Sequence, residues 1–211
     1  GLPSDIVEFQ CDDEGGCVCK AGYGNGVTDA TLEQDYFSCV ACDAGTTNDP
    51  PSQNECKQCV AGRYATKAAS ASCSECDAGK YGTGEGKSTE ESACTECGSG
   101  RYAASTGARK CLACPPGSCC VSSGSKEYEE CGVGRYQDQS RQVSCLSCPS
   151  GRYQNATGQA TCVLCETGKY NRDGGSVNAS ASTDCANGTY ASQEGSAECQ
   201  ECGKDTYANS T

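Results

Sequence analysis

The spacing of cysteines constrains this chain more than any other feature. Cys145-Leu-Ser-Cys148-Pro-Ser-Gly151-Arg-Tyr153 is followed, after a short polar loop, by Cys162-Val-Leu-Cys165-Glu-Thr-Gly168-Lys-Tyr170. Written as C-x-x-C-x-x-G-x-Y, this unit recurs along most of the chain. Its first Cys falls at Cys39, Cys56, Cys73, Cys94, Cys111, Cys145, Cys162 and Cys199, with Tyr128 and Ser182 standing at two of the places. The step is 17 residues in seven of nine cases, and 21 and 20 in the others. A fixed short period means one small supersecondary unit stacked on itself, each copy touching its neighbours.

Composition says what holds such a stack together. Leu, Ile, Val and Phe number 18 in 211 residues, Trp and Met are absent, and the net charge is -12. That balance alone points to disorder, because too little apolar surface is buried to offset chain entropy. The 23 cysteines reverse the reading, since cross-links replace the missing core. Cross-links need an oxidising compartment, which places the protein outside the cell, secreted or on the cell surface. Sequons at Asn155, Asn178, Asn187 and Asn209 fit that route and predict N-linked glycans. No apolar run is long enough to span a bilayer, so no membrane insertion is expected within this chain. The acidic balance, without a basic run, argues against nucleic acid as a partner. The start at Gly1-Leu-Pro and the end at Thr211, short of the next cysteine of the repeat, lead us to expect a processed start and a truncated longer polypeptide.

Three segments are expected. Residues 1–10 form an N-terminal arm with Leu2, Ile6, Val7 and Phe9; packing on a neighbouring copy and capping the open end of the stack are both open to it. Residues 11–39 carry Cys17-Val-Cys19-Lys-Ala-Gly22-Tyr23-Gly-Asn-Gly26, which resembles the second half of an EGF-like module. Asp5, Glu8, Asp12, Asp13 and Glu14 do not follow the tight acidic pattern of calcium-binding EGF modules, and we read a solvated acidic turn. Residues 39–211 are the tandem repeats, with an irregular unit at 111–131 where Cys114-Pro-Pro-Gly117-Ser-Cys119-Cys120 replaces the usual Tyr by Cys.

Within the repeats, Gly45, Gly62, Gly79, Gly100, Gly117, Gly134, Gly151, Gly168 and Gly188 hold one position, and Asp205 breaks the series. Tyr stands two places later at Tyr64, Tyr81, Tyr102, Tyr136, Tyr153, Tyr170, Tyr190 and Tyr207, and each ring is expected to cover the disulfide beside it. Between them sit Arg63, Lys80, Arg101, Arg135, Arg152 and Lys169, read as solvated heads on stems packed along neighbouring rings. Short β pairings and almost no helix are predicted. The Ala-rich stretch from Ala65 to Ala71 lies inside a closed loop with no room for one.

Three pairing registers are open: within each C-x-x-C, from the second Cys of one unit to the first of the next, or from first to second across units. The second closes loops worth about 3 kcal/mol each by chain entropy. The tandem C-x-x-C-x-x-G-x-Y resembles the ephrin-receptor-like cysteine-rich repeats of extracellular proteins of protists and algae, and C-x-x-G-x-Y with one closing Cys is similar to the first loop of tumour necrosis factor receptor modules. That resemblance implies second-to-first closure: Cys19–Cys39, Cys42–Cys56, Cys59–Cys73, Cys76–Cys94, Cys97–Cys111, Cys131–Cys145, Cys148–Cys162 and Cys185–Cys199, with Cys11–Cys17 ahead of them. Cys114 is left to Cys119 or Cys120; we place Cys119 in the bridge and hold Cys120, Cys165 and Cys202 as irregular or inter-chain. Cys165 is expected to join the leftover member of the vicinal pair, by a fold-back or between subunits.

Adjacent C-x-x-C groups also read as four-cysteine zinc sites, for instance Cys42, Cys56, Cys59 and Cys73. The sequons, the absence of His and units with a single Cys weigh against zinc. Without His the usual general base is missing, and no convergent carboxylate pair or phosphate loop stands out. We therefore expect no catalytic residues, no cofactor and no metal. The expected fold is a small disulfide-rich repeat protein, an elongated rod of ~17-residue units. The expected function is a structural extracellular glycoprotein that assembles with copies of itself into a filament or surface coat, for example a hair-like flagellar appendage. The alternative is a cell-surface antigen or receptor ectodomain stalk.

Overall fold

Each repeat begins with a turn that its sequence dictates. In Cys59-Val60-Ala61-Gly62-Arg63 the Arg63 N–H donates to the Val60 carbonyl at 3.0 Å, and Gly62 has φ +83°. A four-residue turn with positive φ at its third position is a type II turn, which admits Gly there and little else. The chain then runs as a two-residue strand and pairs with the residues that follow the next first Cys. Arg63–Tyr64 pairs with Ser74–Glu75, and Arg152–Tyr153 with Val163–Leu164, both antiparallel. Eleven such two-stranded pairings make up the sheet structure of the described residues.

A computed structural model describes residues 9–11, 17–25, 39–49 and 55–203. Among the described residues helix is confined to two short pieces, Glu90–Ala93, capped by Thr89, and the 3-10 turn Ala179–Ala181. Both lie in the two repeats with the longer steps, which take up their extra residues there. Ala65 to Ala71 holds no helix. The chain divides into two units, residues 1–97 with 103–111, and residues 98–102 with 112–211.

Inside each unit the repeats are tied by main-chain hydrogen bonds. In the first, Gly45 N–H donates to the Ala65 carbonyl at 2.8 Å and Cys59 N–H to the Gly45 carbonyl at 2.9 Å. In the second, Gly134 N–H donates to Gln154 at 2.7 Å and Cys148 N–H to Gly134 at 2.9 Å. A second left-handed position stands seven residues after the first, at Gly86, Gly107, Gly124, Gly158, Gly175 and Gly195, with Ala69 and Arg141 as the exceptions. Its N–H reaches back to the second cysteine of an earlier repeat, as from Gly158 to the Cys131 carbonyl at 2.9 Å. Its own carbonyl lies over the turn glycine of an earlier repeat: a Cβ on Gly62 would sit 2.5 Å from the Gly107 oxygen. The turn glycine is thus required twice over, by its dihedral and by this approach.

The interior is made of sulfur and small groups. Cys59, Cys76, Cys97, Cys131 and Cys148 are buried, and so is the residue just after each Tyr: Ala65, Ala103, Gln137, Gln154, Asn171 and Ala191. The tyrosines themselves are half-buried to exposed, on the outside of this interior. Where the interior residue carries an amide, it is satisfied locally. Gln154 donates to the Thr161 carbonyl at 2.7 Å and accepts from Ala156 N–H at 3.1 Å. No buried side-chain polar atom lacks a partner among the described residues, as a low-dielectric interior demands.

Candidate functional site

The chemistry of this chain is the set of bridges and the places where the pattern lapses. Nine disulfides are present among the described residues. Eight are Cys19–Cys39, Cys42–Cys56, Cys59–Cys73, Cys76–Cys94, Cys97–Cys111, Cys131–Cys145, Cys148–Cys162 and Cys185–Cys199. The ninth is Cys114–Cys120. Each of the eight closes the loop that starts with the type II turn, so bridge and ribbon fix the same loop from two sides. Cys42, Cys56, Cys59 and Cys73, the candidates for zinc, are taken up in two bridges. Cys11 and Cys17 lie opposite each other in an antiparallel pair; their side chains fall outside the described residues, as do Asp5, Glu8, Asp12, Asp13, Glu14, Asp205, Tyr207 and Asn209.

The irregular unit corrects one expectation. Cys120, not Cys119, bridges Cys114, and Cys119 is a buried free thiol. The reason is positional. Cys119 occupies the Tyr place of the motif, in register with Glu129 across the ribbon Ser118–Cys119 with Glu129–Glu130. Cys120 occupies the next place, which is buried in the other described repeats, and is 1 % exposed. Successive residues of a strand point to opposite sides, so only Cys120 is aimed at the interior sulfur of Cys114. Burial, and then the charge of Glu129, push the Cys119 thiol above its ordinary value. At the vacated first-Cys place, Tyr128 packs edge-on to Tyr102 with ring centroids 5.4 Å apart, an aromatic pair in place of a bridge.

The expected fold-back between Cys165 and the leftover vicinal cysteine is absent, since both thiols are free. Cys165 is 1 % exposed, and its Sγ contacts Ser182 Oγ, the residue at the missing first-Cys place. Cys202 is the free thiol that is half-buried.

The basic residues between Gly and Tyr do not behave alike. Arg63 pairs with Glu75, which also accepts from Thr106. Lys80 donates to Glu90 at 2.6 Å, and that carboxylate holds its ammonium above the ordinary range. Lys169 lies 3.7 Å from Glu166. Exposed pairs of this kind add little stability. Arg135 and Arg152 have no carboxylate at ion-pair distance among the described residues. Asn155, Asn178 and Asn187 are exposed. No group of His, Cys, Asp and Glu among the described residues is arranged to hold a metal ion, and no helix there is long and apolar enough to cross a membrane.

Residues 120–158, which run from the interior Cys120 through the Cys131–Cys145 bridge to the left-handed Gly158, match the family model described as tyrosine-protein kinase ephrin type A/B receptor-like. The chain is built of tandem cysteine-rich repeats. The ephrin-receptor-like match and the nine bridges together point to an extracellular repeat protein. No curated protein matches the chain. Two features of the tandem repeats were missed in the sequence: the inward place after Tyr, and the second left-handed place. The first is hidden because Ala, Gln, Asn and Cys share it; the second shows as a Gly seven residues after the turn Gly, a spacing legible in advance.

Proposed function

We propose that the protein is a structural extracellular glycoprotein whose repeats assemble with other copies into a filament or surface coat, such as a hair-like flagellar appendage. One observation carries this reading: inside each unit the repeats are fixed to one another by main-chain hydrogen bonds, and among the described residues nine bridges close them, the repeat from Cys165 to Ser182 being the exception. Such a design extends surface repeat by repeat with hardly any apolar side chains, which suits building and spacing. Exposed Asn155, Asn178 and Asn187 would carry N-linked glycans that keep the acidic surface hydrated. The reading is non-enzymatic and uses no cofactor.

A second reading, a stalk in a cell-surface antigen or receptor ectodomain, draws on the match of residues 120–158 to an ephrin-receptor-like model. Negative-stain electron microscopy of the purified glycosylated chain separates them. Ordered polymers are the expected result; a monodisperse monomer at all concentrations would favour the stalk.

A further inference from the structure

Asn155, Asn178 and Asn187 are all exposed, yet the fold treats their sequons differently. A sequon needs Ser or Thr two places after the Asn, so an enzyme that transfers a glycan reads that hydroxyl together with the amide. A fold that commits the hydroxyl elsewhere, or pins the backbone between the two residues, withholds the acceptor until that part opens.

At Asn155 the hydroxyl is committed to another repeat. Thr157 donates to Glu130 at 3.0 Å, and Gly158 N–H donates to the Cys131 carbonyl at 2.9 Å. Ala156 N–H, between the two sequon residues, donates to the buried Gln154 at 3.1 Å. The Cys148–Cys162 bridge closes the loop around them. At Asn187 the sequon is itself the turn that opens a repeat. Thr189 donates to the Ala186 carbonyl twice, by its hydroxyl at 2.7 Å and by its N–H at 2.9 Å, and it pairs with Glu201 across the ribbon. Cys185–Cys199 closes that loop.

Asn178 differs in both respects. Ser180 donates to the side-chain oxygen of Asn178 itself at 2.6 Å, so amide and hydroxyl form one local unit. The main-chain bonds of this 3-10 turn, Ala181 N–H to Asn178 at 3.2 Å and Ser182 N–H to Ala179 at 3.0 Å, also stay within it. The loop that carries it runs from the free Cys165 to Ser182 and has no bridge to close it.

We propose that Asn178 is the acceptor open to N-glycan transfer on the folded protein, whereas Asn155 and Asn187 accept a glycan only before their loops close. In the transfer, Asn178 Nδ2 bonds to the anomeric carbon of a sugar carried on a lipid diphosphate. The bond from that carbon to the phosphate oxygen breaks, the diphosphate leaves with the electron pair, and the amide proton passes to solvent. This rests on the glycoprotein reading and adds an order in time to its sites.

The test uses the full chain made without glycans, once folded with its bridges confirmed by mass spectrometry and once reduced and alkylated. Each form is given to a purified oligosaccharyltransferase with a lipid-diphosphate-linked oligosaccharide, and peptide mass spectrometry reads the occupancy of each Asn. The reduced chain should accept at Asn155, Asn178 and Asn187. On the folded chain, occupancy relative to the reduced chain should hold within about twofold at Asn178 and fall about tenfold or more at Asn155 and Asn187, where access waits on local opening. Equal relative occupancy at the three sites, or loss at Asn178 as large as at the other two, overturns the proposal and leaves the glycoprotein reading standing. A reduced chain that accepts at none of them overturns both.

Discussion

Ser182 holds its hydroxyl against the thiol of Cys165, at the place where the repeat calls for a first cysteine. The two residues are 17 apart, within the range of separations, 14 to 20, seen for bridges of the same register. The surrounding repeat is therefore already shaped for a bond that the sequence omits.

Ser182→Cys should form a further disulfide with Cys165. The unreduced mass would fall by two hydrogens relative to the dithiol, and peptide mapping would recover a 165–182 link. The added cross-link should raise unfolding free energy by about 3 kcal/mol, less any local strain. A stable free thiol at both positions would show that the contact is not bond-competent.

Thiol accessibility gives a second expectation. In the native protein, iodoacetamide should label the half-buried Cys202 first, with Cys119 and Cys165 protected until denaturant is added. For Cys119, burial raises the folded pKa above the unfolded value. Its contribution to stability is thus present below the unfolded thiol pKa and is lost as pH rises through the folded one. Fast native labelling of Cys119 at neutral pH would contradict its placement.

The vicinal pair is separable by substitution. Cys119→Ser should leave all nine bridges in place and shift stability little. Cys120→Ser should abolish the Cys114–Cys120 bridge and cost about 2 kcal/mol or more, given typical losses for native disulfides in small secreted domains. Disulfide mapping and denaturant unfolding of the two variants decide it; the reverse order would restore Cys119 as the partner.

Arg141 sits at φ +64°, where most other repeats have Gly, and its carbonyl lies over Gly100. Arg141→Gly should stabilise by about 1 kcal/mol by relieving the left-handed conformation. Gly100→Ala should do the opposite and by more, because Gly100 has φ +77° and its new methyl would meet the Arg141 carbonyl. Thermal unfolding of both variants tests the pair; a neutral Gly100→Ala would rule out the close approach.

A buried amide supplies a last case. Gln154→Ala removes a donor to the Thr161 carbonyl and an acceptor for Ala156 N–H. The loss should be about 1–2 kcal/mol, moderated because Ala fits the same place at Ala65, Ala103 and Ala191. Denaturant titration measures it.

The period of C-x-x-C-x-x-G-x-Y already determined the repeat, its fixed glycine place, the scarcity of helix and the need for cross-links, because each follows from spacing and composition along the chain. What it left open was every choice that depends on which way a side chain points. Cys119 and Cys120 are adjacent in sequence and equivalent on paper; the strand sends them to opposite sides of the ribbon, and only Cys120 faces Cys114. Cys165 and Ser182 were marked by the repeat as a cysteine and the vacant place of its usual partner, but that the hydroxyl rests against the thiol emerges only once the loop between them closes. Tyr ranks as core by size, yet the inward place belongs to the smaller residue after it. Sequence fixes what recurs with the repeat, and tertiary packing decides the exceptions, because side-chain direction is set by neighbours brought in from repeats away.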